Sequence, residues 1–308
     1  MRSIIAVVCV LMMALLIGSS ALGGPSVQQF GKDSKIDWTN HVYIAIGRGA
    51  IPGPREEPNR ARAYLKAERY AEMAAMANLL VLINGTAIDF ESNGKDFMAD
   101  AEIKQRVEGF LRNVEITKHW KAKEEGDTIV FAEVRTPMFG DETPGSIFME
   151  KLEKDEETAA ETLDQPEVKI VLKPDVKAAK LAGGARPSLP GKPYTSLVID
   201  TTGYKLDRCM SPKIRRADGS EVWGTVKVDY DYLQDHGVCV YATGLADAKK
   251  NARCGGNPLI ISAIGRAGGK FHSDPVISDA DAAVLLDENS KSGFLDKFSI
   301  IIIKDGQL

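Results

Sequence analysis

The feature that most constrains the fold of this chain is a long alanine-rich segment between Asn59 and Ile83. A glycine- and proline-rich corner over residues 47–58 precedes it and predicts a break in regular structure. Asparagine is a good helix-capping residue, and the pair Asn84-Gly85 is a typical helix end. The segment therefore predicts one uninterrupted helix, around which the neighbouring elements must pack.

The faces of this helix differ in composition. Small or apolar residues recur at spacings of three and four and so share one face, namely Ala63, Ala67, Tyr70, Ala74, Ala77 and Val81. Because small side chains let a helix backbone approach closely, we expect this face to lie on a sheet. From Met73 to Ile83 the helix is apolar almost all round, which is typical of burial by its own domain or by another subunit. Met73, Met76 and Leu80 are the candidate subunit contacts.

The segments around this helix predict further strands and a second helix. They are a strand at 41–46, a strand at 86–90, an amphipathic helix at 97–111 and a hairpin of strands 114–121 and 128–136. The resulting order, β-α-β-α-β-β, predicts an α+β domain over residues 37–140 with helices packed on one face of a sheet.

Four blocks occur in order between Asp37 and Gly140: DWTN, YIAIGRGAIP, NLLVLING and AEVRTPMFG. Together they resemble the LPP-twenty-type lipoprotein domain family, which is related to FlgP- and FlgT-like flagellar accessory proteins. The resemblance covers the N-terminal half only. It implies a non-enzymatic bacterial cell-envelope protein, with flagellum-associated assembly as one setting.

The N-terminus has the pattern of a secretory signal peptide. Met1-Arg2 is followed by the apolar run Ile4–Ile17 and then by small residues, which predicts a signal over residues 1–21. Cys9 lies inside the apolar run, so we expect an exported protein without a lipid anchor, in the periplasm or outer envelope. No later segment predicts a membrane span. The net charge of -4 and the lack of a basic tract argue against nucleic acid as a partner.

The rest of the chain predicts a connection and a second domain. Residues 141–193 have the pattern of a charged helix and then, from 165 to 193, a linker rich in Pro, Gly and Lys. Residues 194–308 predict a second, mixed α/β domain of unknown role. Its strongest buried strand is FSIIIIK at 298–304.

Gly47, Gly49 and Gly53 invite comparison with a dinucleotide-binding loop. Their spacing is one residue longer than that fingerprint, and Pro52 prevents a helix from starting where a phosphate would need it. We interpret them as a structural corner and predict no cofactor.

Asp229, Asp231 and Asp235 are the best candidates for a metal site. A calcium loop would need a ligand at position 233 and a glycine at 234, where this chain has Leu233 and Gln234. We interpret the three carboxylates as solvated loop residues and predict no metal.

Catalytic patterns are equally weak. The four histidines, at positions 41, 119, 236 and 272, lack metal-ligand spacing. Cys239 with His236 or His272 is a conceivable nucleophilic pair. An oxidising compartment would favour pairing the thiol instead, and no hydrolase, metalloprotease or thioredoxin motif occurs. We predict no catalytic residues and no enzymatic activity.

Three cysteines remain after removal of the signal: Cys209, Cys239 and Cys254. They allow three single bridges, each leaving one thiol over. Cys209 and Cys254 lie in loop-like sequence and are the predicted disulfide, and three reduced thiols are the alternative.

Three functions compete at this point. The first is an envelope protein that associates with itself or with other envelope proteins, as an accessory of a surface structure. The second is a periplasmic module that binds a small ligand or glycan between the two domains. The third is an enzyme, which has no catalytic constellation to support it. We favour the first.

Overall fold

The computed structural model describes residues 25–162, 168–172, 184–224, 232 and 236–305. The predicted signal peptide and the aspartates at 229, 231 and 235 lie outside the described residues. Within those residues the chain forms six α-helices and three β-sheets, so the predicted mixed fold class is confirmed.

The N-terminal half contains five strands and four helices. In chain order they are β1 (Val27–Phe30), β2 (Ser34–Asp37), β3 (Val42–Ala50), α1 (Arg60–Gly85), α2 (Gly94–Phe97), α3 (Ala101–Asn113), β4 (Lys118–Glu124), β5 (Asp127–Pro137) and α4 (Pro144–Thr162). The strands form one antiparallel sheet in the order β1-β2-β3-β5-β4. Helix α1 packs on one face of this sheet, mainly over β3 and β5.

Helix α1 begins where the sequence predicts. The side chain of Asn59 accepts a hydrogen bond from the backbone N–H of Arg62 at 3.0 Å, which caps the first turn. At the other end the N–H of Thr86 donates to the carbonyl of Ile83 at 3.2 Å. The helix is therefore fixed by local signals at both ends.

Two glycines of β3 allow α1 to lie directly on the sheet. A Cβ on Gly49 would come closer than 3.0 Å to the carbonyl oxygen of Ala67, and one on Gly47 would meet the backbone of Ala71 and Ala75 just as closely. β3 therefore continues through these glycines, where the sequence predicted a corner. Their function is close helix–sheet packing.

The buried face of α1 differs from the predicted one. The residues buried against the sheet and its surroundings are Ala63, Ala67, Ala71, Ala75, Leu79, Leu82 and Ile83. The first two residues of the predicted face, Ala63 and Ala67, are buried as predicted. After them the predicted and the buried faces diverge around the helix, because Tyr70, Ala77 and Val81 are exposed and Ala74 is half-buried. The two glycines beneath the helix fix which alanines face the sheet.

The C-terminal half contains the remaining strands and helices. They are β6 (Lys169–Leu172), β7 (Ser196–Asp200), β8 (Ile214–Arg215), β9 (Glu221–Trp223), β10 (Val240–Ala242), α5 (Leu245–Ala248), β11 (Pro258–Ser262), β12 (Gly265–Gly268), β13 (Asp274–Val276), α6 (Asp279–Ser292) and β14 (Ile300–Ile303). A parallel sheet has the order β10-β14-β7-β11, and a mixed sheet has the order β6-β12-β13-β8-β9. All four isoleucines of β14 are buried, as expected for a central parallel strand.

The described parts of the predicted linker pack on the C-terminal half. β6 pairs with β12 as an edge strand. Further on, the N–H groups of Gly184 and Ala185 both donate to Asp281, and that of Ser188 donates to Glu288. Two buried carboxylates of α6 thus hold this segment in place.

The two halves share one hydrophobic core. Buried side chains such as Trp38, Phe139 and Tyr241 belong to the same cluster. Residues 86–90, predicted as a strand, instead support this junction. The carbonyls of Ala87 and Ile88 accept hydrogen bonds from residues 210 and 211 of the C-terminal half.

Candidate functional site

The side chains with catalytic or metal-binding chemistry are scattered. Across the described ranges, no group of three or more His, Cys, Asp or Glu residues is placed to hold a metal ion. His119 contacts Glu72 of α1, and His236 contacts the carbonyl of Tyr232. Among the described contacts neither His236 nor His272 bonds to Cys239, so the conceivable nucleophilic pair is not formed.

The three cysteines are buried and free, so the structure does not form the predicted Cys209–Cys254 disulfide. Cys209 lies beside Tyr241, whose hydroxyl bonds to both its N–H and its carbonyl. Cys254 belongs to a separate apolar cluster with Val198. Burial raises the pKa of all three thiols, which makes them poor nucleophiles.

The DWTN block forms a tight turn after β2. One carboxylate oxygen of Asp37 accepts from the N–H groups of Thr39 at 3.1 Å and Asn40 at 3.0 Å, and the other accepts from the Asn40 amide at 2.8 Å. These bonds fix the turn through local contacts. Trp38 points into the core and is fully buried.

This turn is a joint between the halves. The Thr39 hydroxyl donates to the carbonyl of Tyr241 at 2.5 Å, and His41 Nε2 lies 2.9 Å from the carbonyl of Cys239. Trp38 packs edge-on against Tyr241 with ring centroids 5.7 Å apart. The DWTN block therefore connects β10 to the N-terminal sheet.

The joint predicts a dependence of stability on pH. Burial and the charge of Arg253 lower the pKa of His41 from 6.5 to about 4. As the pH falls, the unfolded state takes up a proton on His41 at a higher pH than the folded state does. The contribution of His41 to the free energy of unfolding is therefore complete above pH 6.5 and is lost as the pH falls towards 4. Asparagine tolerates the left-handed backbone that His41 adopts at φ 51°. We therefore expect His41→Asn to lose about 2–3 kcal/mol less free energy of unfolding between pH 7 and pH 4.5 than the parent does. Urea unfolding of both proteins at pH 7 and pH 4.5 measures this, and equal losses would contradict it.

The most distinctive exposed surface lies on the side of α1 away from the sheet. We define the α1 face as Leu65, Tyr70, Met73, Ala77 and Val81. The four large side chains in it are 60%, 60%, 63% and 56% exposed, in that order. All five residues lie on one side of a helix whose other side is buried in the core.

The predicted subunit contacts fall at different depths. Met73 belongs to the α1 face, whereas Met76 is half-buried and packs against the core, and Leu80 is half-buried. Of the three, Met76 contacts the core of its own chain directly. Its orientation follows from the rotation of the buried face described above.

Charge is distributed unevenly along α1. Arg62 and Arg69 are exposed in the N-terminal half, while no charged residue occurs from Met73 to the end of the helix. The first turn has no acidic residue and the last turn has no basic one. The helix dipole is therefore uncompensated by side chains of its own terminal turns.

A comparison with known families concerns the C-terminal half. Residues 196–306 match the family model described as Treponema pallidum Tp0624, second domain. The Tp0624 match begins at β7 and extends beyond β14, so it includes the whole parallel sheet. No curated protein matches the chain.

The Tp0624 match corrects the resemblance drawn from the N-terminal half. The matching family is a Treponema protein domain, and the resemblance to the LPP-twenty-type and FlgP- or FlgT-like families is wrong. The blocks that suggested it have structural explanations here. DWTN forms the joint, and the two glycines of YIAIGRGAIP lie beneath α1.

None of the helices in the described ranges combines the length and apolar character needed to cross a bilayer.

Proposed function

We propose that this chain is a non-enzymatic bacterial cell-envelope protein that acts through self-association, with the α1 face as the contact between two copies. The observation that carries the proposal is the exposure of four large apolar side chains on the side of one well-anchored helix that faces away from the core. Large apolar side chains that are exposed together on one helix are typical of interaction sites. The envelope location rests on the predicted signal peptide.

A second copy fits this face by position. Met73 lies at the centre of α1, which runs from residue 60 to 85, and the helix is about 39 Å long. A two-fold axis passing near Met73 would place two α1 helices antiparallel along most of their length. Both copies would then contribute the same residues, as a closed dimer requires. The small side chain of Ala77 allows the helices to approach closely.

Charge also favours the antiparallel arrangement. It would bring the exposed Arg62 and Arg69 of one copy beside the uncharged C-terminal half of the other α1. Cations are stabilising near helix C-termini, because the backbone carbonyls there carry partial negative charge. A parallel arrangement would place the arginines of the two copies side by side and would be disfavoured.

The variant Met73→Asp tests this proposal. The partner would desolvate a charge placed at the centre of the contact. We therefore expect the dissociation constant of the dimer to rise at least tenfold. Folding should be preserved because Met73 is 63% exposed. Light scattering measures the mass, and circular dichroism checks the fold.

Leu189→Asp is the matched control, since Leu189 is 68% exposed and lies far from α1 in the chain. It makes the same exchange of an exposed apolar side chain for a charge, and the dimer should persist. A folded Met73→Asp protein with an unchanged dimer mass, or equal dissociation in both variants, would contradict the proposal.

A further inference from the structure

Arg208 carries an incompletely paired charge at the junction of the two halves. The residue is 5% exposed, and its Nε donates to the hydroxyl of Ser26 at 2.8 Å. Its Nη2 is buried without a hydrogen-bond partner, and Nη1 has none among the described residues. Buried guanidinium groups are normally paired, because an unpaired one loses its hydration without compensation.

A second cation stands at the carboxyl end of β14, the strand that pairs with β7 ahead of the Arg208 loop. Lys304 directly follows β14, is half-buried, and forms no side-chain hydrogen bond or ion pair within the described part of the chain. Burial and the charge of Arg208 both lower the pKa of Lys304, and Arg266 adds to this repulsion.

The carboxylates nearby are engaged with the backbone. Asp207 accepts from the N–H of His272 at 3.0 Å, and Asp305 accepts from the N–H of Gly203 at 2.6 Å. Both acidic groups reduce the local positive charge, but neither forms an ion pair with Arg208 or Lys304 among the described contacts. The unpaired guanidinium edge is left without an anionic acceptor.

The position in the fold is one where ligands commonly bind. Lys304 follows the carboxyl end of β14, and the loop that leads to Arg208 starts at the carboxyl end of the neighbouring strand β7. In parallel sheets, ligands bind outside the carboxyl ends of the strands. A guanidinium whose Nη1–Nη2 edge makes no hydrogen bond can donate to the two oxygens of a carboxylate or phosphate.

We propose that Arg208 and Lys304 form a binding site for a small ligand bearing a carboxylate or phosphate group. The proposal goes beyond self-association and does not depend on it. Because Nη2 is covered, side chains around it must move to admit the ligand group. Binding would supply the acceptor that the guanidinium lacks.

Thermal unfolding of the full chain in sodium acetate, sodium phosphate or sodium chloride of equal ionic strength tests the site. We expect acetate, phosphate or both to raise the melting temperature by about 5 °C over chloride when the site is saturated. An effect of acetate alone identifies a carboxylate ligand, and an effect of phosphate alone identifies a phosphate ligand. No rise with either anion would overturn the proposal.

Two variants and a control locate the effect. Arg208→Met and Lys304→Met should lose the rise, while Lys250→Met, at an exposed lysine following α5, should keep it. In chloride, Arg208→Met should melt no lower than the parent, because it removes a charge that lacks full pairing. A much lower melting temperature would mean that the guanidinium is structural. That result, or an equal rise in all variants, would overturn the proposal.

Discussion

Gly49→Ala is expected to lower the free energy of unfolding by at least about 4 kcal/mol, enough to prevent folding of many natural domains. The new methyl group would overlap the backbone carbonyl of Ala67, and backbone cannot rotate away as a side chain can. Relief would require α1 to lift off β3, which would open the core along the helix. Gly47→Ala should have a similar effect through Ala71. Urea unfolding followed by circular dichroism gives both values.

Gly53→Ala is the matched control for this prediction. Gly53 lies in the same glycine-rich stretch, but an added Cβ would meet no atom within 4 Å. Its free energy of unfolding should stay within about 1 kcal/mol of the parent. If all three alanine variants were equally stable, the close approach of α1 to β3 would be wrong.

Arg215→Met is expected to lower the free energy of unfolding by about 3–5 kcal/mol near pH 8. Arg215 Nε lies 2.7 Å from Asp274, and the two side chains are 8% and 0% exposed. Removal of the arginine leaves a buried carboxylate with the N–H of Lys213 as its main remaining partner. The cost is that of an unpaired charge in the core.

The pH dependence of this variant gives a second check. Burial raises the pKa of Asp274 from 3.8 to about 6, and Arg215 opposes that rise. An acid with a raised pKa in the folded state favours folding most at low pH and loses that contribution as the pH rises. Without Arg215 the pKa rises further, so the deficit of the variant should shrink at pH 4.5.

A double variant separates the charge from the packing. Arg215→Met with Asp274→Asn removes both charges of this pair and should recover much of the lost stability at pH 8. Equal deficits at pH 8 and pH 4.5, with no recovery in the double variant, would show that packing of Arg215 dominates.

Elements with strong local signals could be predicted from the sequence. Asn59 caps the start of α1, which continues two residues past the predicted Ile83 to Gly85, and the hairpin β4–β5 turns at the charged residues 124–127. The buried strand β14 follows from its unbroken isoleucines. In each case the residues that decide the structure lie within the element or beside it.

Features that depend on distant partners could not be predicted. Neither the DWTN block nor the following His41 gives a sign that Thr39 bonds to Tyr241 and His41 to Cys239, about two hundred residues later. The sequence does not determine the buried face of α1 after Ala67, because alternative stripes of small residues exist and the glycines of β3 select between them. Arg208 stands in no sequence motif, because its burial and its missing partners arise only in the folded chain.

The mass of the protein in solution over a range of concentrations tests the central claim most directly. The chain has a mass of 33.4 kDa before any processing. Self-association through the α1 face predicts a two-chain species at high concentration that dissociates to single chains on dilution. A single-chain mass at every concentration, from folded protein with an unmodified α1 face, would contradict it.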